Sequence, residues 1–110
     1  MREDELVRSI LDALIRTGWL ACHFRPARTG TGWRTAVQGN IGFPDIIAIH
    51  PRKGILALEC KSDRGRLTAE QIAWKEAFEA IEDRWHGGLE YRVVRPDDWM
   101  SGLLDDLLKG

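Results

Sequence analysis

Residues Gly42 to Lys61 constrain this chain more than any other stretch. Two short apolar runs, Ile46 to Ile49 and Ile55 to Leu58, flank the segment Pro51-Arg52-Lys53-Gly54. Apolar runs separated by a Pro- and Gly-bearing turn predict a β-hairpin. Both runs are apolar at nearly every position, so both faces of the ribbon are expected to be covered. The open end of the hairpin carries Asp45, Glu59 and Lys61. Charged groups are rarely buried unless paired or bound to a metal, which marks that end as a candidate site.

Strand phase sharpens the expectation. Side chains alternate along a strand, so Asp45 shares a face with Ile47 and Ile49, and Glu59 shares one with Ala57 and Lys61. A three-residue loop, Pro51 to Lys53, sets His50 against Gly54 and Asp45 against Glu59. A five-residue loop sets Asp45 against Lys61. A four-residue loop sends Asp45 to the wrong face unless a bulge corrects it. An odd loop or a bulge is therefore expected.

Two neighbouring carboxylates repel unless a cation lies between them. An all-oxygen site that acts on phosphate suits Mg²⁺, which keeps several of its waters. Such a cation polarises a phosphoryl oxygen and acidifies a bound water. Lys61 can hold or deprotonate that water and offset charge in the transition state. The backbone carbonyl of Cys60, between Glu59 and Lys61, can add a ligand.

The pattern Pro44-Asp45 followed by Glu59-Cys60-Lys61 resembles the PD-(D/E)xK nuclease signature, and in detail the VRR-Nuc branch. That branch has Gly-x-Pro-Asp, matched by Gly42 to Asp45, then a Glu-x-Lys strand after a short hairpin. It continues with Ser/Thr-x-x-Gln opening a helix, matched by Thr68 to Gln71, and it begins with a helix carrying a Glu. Archaeal Holliday junction resolvases look like further relatives. The resemblance spans most of the chain. It implies an α/β fold with a restriction-endonuclease-like core, a central mixed β-sheet flanked by helices. It also implies a Mg²⁺-dependent endonuclease, with Mn²⁺ as a substitute, that cuts branched or structured DNA. Asp45, Glu59, the Cys60 carbonyl and Glu3 would hold the metal, with Lys61 and Gln71 beside the reaction. The competing expectation is the same fold without cleavage, docking DNA or a protein. Intact Asp45, Glu59 and Lys61 count against it, since a pure binder gains nothing from carboxylates near phosphate.

With 110 residues the chain is expected to form one domain. No apolar run approaches the ~18 residues of a membrane span, and the acidic start Met1 to Glu5 is unlike a signal peptide. Cys22 and Cys60 both lie in apolar runs, which suggests buried free thiols and a cytoplasmic setting, a host's if the protein is viral. The net charge of −1 seems unsuited to nucleic acid, but its distribution is uneven. Trp19 to Arg66 holds eight Lys/Arg against three Asp/Glu, while Leu67 to Gly110 holds five against ten. The basic segment is the one that contains the motif, as DNA binding requires.

Along the chain, Glu3 to Thr17 reads as an amphipathic helix with Leu6, Val7, Ile10, Leu11 and Leu14 as its stripe. Glu3 falls on that stripe and can point inward, whereas Glu5 falls on the wet face. Trp19 to Phe24 reads as a strand that delivers Arg25 to the sheet surface. Ala27 to Gly42 is rich in Gly, Thr and Arg, with a possible strand from Trp33 to Gln38. Arg28 and Arg34 there make a candidate DNA-contacting arm, and Arg64 and Arg66 follow Lys61. Thr68 opens a helix to about Trp85. Its Gln71 has a structural explanation in a capping box with Thr68, but the favoured reading is a site role, orienting water or phosphate, because it heads a core-facing stripe of Trp74, Phe78, Ile81 and Trp85 beside the loop leaving Lys61. Tyr91 to Arg95 reads as a strand. Asp97 to Lys109 reads as a last helix whose wide apolar arc suggests a homodimer seam.

Overall fold

The computed structural model describes residues 1–24, 27–29, 32–34, 38–85, 87–102 and 104–105, with 27–29 and 32–34 described as backbone. The fold is mixed α/β, compatible with a restriction-endonuclease-like core. Its elements are α1 (Glu3–Arg16), β1 (Leu20–His23), β2 (Ala27–Thr29), β3 (Gly32–Arg34), β4 (Ile46–His50), β5 (Gly54–Cys60), α2 (Ala69–Trp85), β6 (Leu89–Val94) and α3 (Pro96–Met100). The main sheet has the order β1-β4-β5-β6. The first three strands are antiparallel, and β6 joins β5 in parallel after the crossover through α2. β2 and β3 pair separately as a small hairpin.

The central hairpin uses the three-residue loop. His50 pairs with Gly54 and Ile46 with Leu58, a register that carries Asp45 to the level of Glu59. Lys53 N–H closes the turn on His50 O at 3.1 Å. Gly54 follows at φ +105°, and a Cβ there would meet Gly88 O at 2.5 Å, so only glycine lets the two backbones approach. That approach lets Ile55 N–H reach Gly88 O at 2.7 Å, which starts the parallel ladder.

One sheet face is closed by α1. Leu6, Val7, Ile10 and Leu14 pack with Trp19, Ile46, Ala48, Leu56, Leu58, Cys60 and Val94 into one buried cluster. The helix stops where expected, with Gly18 at φ 93° after the cap. The opposite face is only partly covered, contrary to the sequence expectation. α2 packs chiefly on β6, so Leu20 is 77% exposed and Ile49, Ile55 and Phe24 are also exposed. Cys22 lies on that open face and is exposed rather than buried; Cys60 is buried, and both thiols are free.

Three further expectations meet a different outcome in the described residues. α2 buries none of its residues, although Trp74 and Phe78 are half-buried, and Trp85 at its end is 71% exposed. Its contacts are aromatic edges and faces: Phe43 on Trp74 at 5.0 Å and Phe78 stacked on Tyr91 at 5.6 Å. The helix expected from Asp97 to Lys109 is interrupted: α3 ends at Met100, Gly102 at φ 79° leaves the helical region, and Leu104 and Asp105 are helical again. Trp99 and Leu104 face the core, Met100 is open, and Leu103 and 106–110 lie outside the described residues. The strand expected from Trp33 to Gln38 is limited to Gly32–Arg34 in its described part, with Gln38 in a bend.

No described helix is long and apolar enough to cross a membrane.

Candidate active site

The residues that converge do so at the carboxyl end of β5, where a parallel neighbour and a helix start also arrive. Parallel strands end together, so Glu59 lies beside Val93 and Cys60 beside Val94. Such ends of open α/β sheets are where sites form. Asp45 precedes β4 by one residue. Its backbone O accepts from Phe24 N–H at 3.3 Å, and its Oδ2 accepts from Cys60 N–H at 2.8 Å. The second bond crosses from the start of β4 to the end of β5 and locks Asp45 next to Glu59.

Glu59 is the buried charged residue of the described core, at 1% exposure. Its Oε1 accepts from Gln71 Nε2 at 2.9 Å. Its Oε2 is buried away from water, and while Glu59 is protonated its carboxyl shares a hydrogen bond with Asp45. Burial first, then the negative charge of Asp45, push its carboxyl up to about 8; Lys61 pulls it down and Glu3 adds a further upward push. Burial and the same acids also push the Cys60 thiol up, so that cysteine stays protonated and inert.

Gln71 makes the cap and also reaches Glu59. Thr68 N–H donates to Gln71 Oε1 at 2.9 Å, and Gln71 N–H donates to Thr68 Oγ1 at 3.1 Å, a complete capping box. The cap consumes the amide oxygen and so turns the NH₂ group toward Glu59. One amide thereby ties the start of α2 to the end of β5.

Glu3 is brought near the site, but not as a buried residue: it is exposed at the start of α1. Its neighbours Asp4 and Glu5 engage Arg2, Glu5 at 2.9 Å, whereas the charge of Glu3 falls on Glu59 and Cys60. Lys61 is half-buried, and its N–H donates to Val94 O at 2.9 Å. Arg64 and Arg66 are exposed on the turn that follows. Arg25 lies outside the described residues. Arg28 and Arg34 are described only as backbone, opposite Trp33 and Ala27 in the β2–β3 hairpin.

Sequence reasoning missed Arg95. Its Nη1 donates to Ser62 O at 2.7 Å and to Gly65 O at 2.8 Å, so it holds the turn that carries Lys61 and the two exposed arginines. Asp98 Oδ2 in turn accepts from Arg95 N–H at 2.8 Å. The only signal was its position at the end of a strand, which is informative once β6 is known to run parallel to β5.

Among the described residues no group of three His, Cys, Asp or Glu side chains is disposed to hold a metal. The site is a pair, Asp45 and Glu59, with a third acid at longer range. A divalent cation nevertheless fits the pair. Two carboxyls this close ionise together only at a cost, which a divalent cation between them would remove, and Mg²⁺ takes its remaining ligands from water.

A pH dependence follows. Below about pH 4.5 the Glu59 carboxyl is protonated whether the chain is folded or not. Between there and about 8 the folded protein keeps a proton that the unfolded chain releases. Stability of the metal-free protein is therefore expected to fall as pH rises through this window, by up to about 1.4 kcal/mol per pH unit. A divalent cation held by the pair would select the ionised form, so added Mg²⁺ should flatten the slope. Melting temperatures across the window, with chelator and with Mg²⁺, test this, and Glu59→Gln should remove the slope in chelator.

Compared with family models and with curated proteins, the chain matches none.

Proposed function

We propose that this chain is a metal-dependent DNA endonuclease of the PD-(D/E)xK kind, similar to VRR-Nuc enzymes, acting on branched or otherwise structured DNA. The observation that carries the reading is the buried carboxyl of Glu59 held against Asp45, two acids brought together at the end of the hairpin that leads into Lys61. Two acids so close each oppose the ionised form of the other, and a cation between them removes that cost.

In this reading Asp45 and Glu59 hold Mg²⁺ or Mn²⁺, joined by the Cys60 carbonyl, with Glu3 assisting. The cation would polarise a phosphoryl oxygen and make a neighbouring water more acidic. Gln71 fixes the rotation of the Glu59 carboxylate by its 2.9 Å bond, which leaves Oε2 as the ligand atom. Glu59 releases its proton when the site is loaded. Lys61 supplies positive charge beside the attacking water and the transition state. Arg64 and Arg66, both exposed, would meet phosphates flanking the cut, with Arg25, Arg28 and Arg34 as the proposed arm. Arg95 positions the turn on which Lys61, Arg64 and Arg66 depend.

The direct test is incubation with linear, forked and four-way DNA, with and without Mg²⁺ or Mn²⁺. Metal-dependent cleavage that favours the branched substrates is expected. Retained DNA binding without cleavage in either metal would sink the nuclease reading and leave a binding module. Glu3 has its own test. Glu3→Gln should lower the rate several-fold, whereas Glu5→Gln should change it little, because Glu5 is occupied by Arg2. Equal small effects would show that Glu3 only favours the helix start.

A further inference from the structure

An open cavity of about 650 Å³ adjoins the carboxylates, and its walls include both Asp45 and Gln71. The remaining walls are mostly uncharged. Phe24, Phe43 and Trp74 supply aromatic surface, and Gln38 and Asn40 supply side-chain amides. The rings form an edge-to-face series, Phe24 on Phe43 at 5.6 Å and Phe43 on Trp74 at 5.0 Å. Trp74 Nε1–H donates to Ile41 O at 2.9 Å, which pins the indole against the loop that leads to Asp45. Phe24 is 49% exposed and Phe43 is 37% exposed, so aromatic surface remains available.

These features select one kind of occupant. The volume falls within the range of small-ligand sites, and the rings are already held in place, so little ordering is required on binding. The described walls are aromatic rings, amides and backbone around one carboxylate, Asp45. They offer flat apolar faces, and amides that can both donate and accept along a planar polar edge. A nucleobase presents that combination. A base inside a continuous duplex has both faces stacked on its neighbours and cannot enter. We infer that this cavity takes an unpaired nucleobase from the strand being cut, next to the phosphate held at Asp45 and Glu59. The inference rests on the proposed nuclease reading and narrows its substrate class to DNA with unpaired nucleotides at the cleavage point, such as forks and flaps.

Phe24 is the residue to change, because its ring lies at the open sheet face and its loss spares the core. Phe24→Leu keeps apolar bulk and removes the aromatic face; Phe24→Trp keeps an aromatic face. Each variant is first checked by its melting temperature. Binding is then measured in chelator with a forked duplex that carries a fluorescent aminopurine at the unpaired position nearest the junction. A matched continuous duplex carries the same probe in a paired position. Wild type and Phe24→Trp are expected to change the probe's emission on the fork and leave it unchanged on the duplex. Phe24→Leu should bind the fork roughly tenfold more weakly and lose the emission change. With Mg²⁺ it should lose a similar factor on the fork and none on the duplex. Equal fork binding and equal emission for wild type and Phe24→Leu would overturn the cavity assignment. The metal-free arm reads the cavity without cleavage. Failure of wild type to cut any substrate would refute the nuclease reading separately.

Discussion

Asp45→Asn is expected to lower cleavage by about two to three orders of magnitude or more, while the protein stays at least as stable as wild type. The two effects come from one carboxylate. Its negative charge is what a cation would need, and the same charge helps push Glu59 up to about 8. Asparagine keeps an oxygen that can accept from Cys60 N–H, the 2.8 Å bond that ties β4 to β5. It removes the repulsion against Glu59. The melting temperature in chelator should therefore equal or exceed that of wild type, with the gain growing toward pH 8 as Glu59 ionises. DNA binding should persist or tighten, because a negative charge facing phosphate is gone. Lys61→Ala should likewise abolish cleavage and leave folding intact. Wild-type rates in both variants would disprove the site. A large loss of stability in Asp45→Asn would mean instead that the carboxylate is a structural acceptor whose charge the fold requires.

Gly42→Ala is expected to be the most damaging substitution outside the site itself, costing about 2–4 kcal/mol. Two separate reasons apply. Gly42 has φ +98°, which an L-residue adopts only with strain. A Cβ at this position would also lie 2.6 Å from the carbonyl carbon of Glu70 and 2.9 Å from Gln71 N, both backbone atoms in the first turn of α2. Backbone cannot swing aside as a flexible side chain can, so α2 or the loop must move. Either movement pulls Gln71 from Glu59 or Asp45 from Cys60. The melting temperature should fall by roughly 10 °C or more, and cleavage should drop even where the variant remains folded. Gly39→Ala separates the two causes. Gly39 has a similar φ of +107°, but nothing lies within 4 Å of its Cβ position. An equal loss in the two variants would show that strain alone matters and that the close approach to α2 does not.

Much of this site was legible in the chain because it depends on local rules. The hairpin register follows from side-chain alternation and a short loop, and that alone brings Asp45 to the level of Glu59. The Leu6, Val7, Ile10, Leu14 stripe identified the buried face of α1 because helical periodicity is also local. The Thr68–Gln71 cap was readable for the same reason. Tertiary structure decided the rest, because those features depend on which elements meet. Sequence left Gln71 as either a cap or a site residue. It makes the cap and also donates to Glu59, since capping consumes its oxygen and the end of β5 lies within reach of its nitrogen. Glu3 has the right helical phase, yet it is exposed and reaches Glu59 through its charge alone, because it stands in the first turn of α1, one turn before the buried stripe begins at Leu6. The apolar stripe of α2 promised a core and found only the β6 margin and one loop, so Trp85 and the β1–β4 face stay open. Arg95 gained its role from the parallel pairing of β5 with β6, a long-range choice that no local pattern encodes. The sequence alone determined which charges sit at the hairpin's end; packing decided which of them lost water, and Glu59 is the one it buried against a second acid.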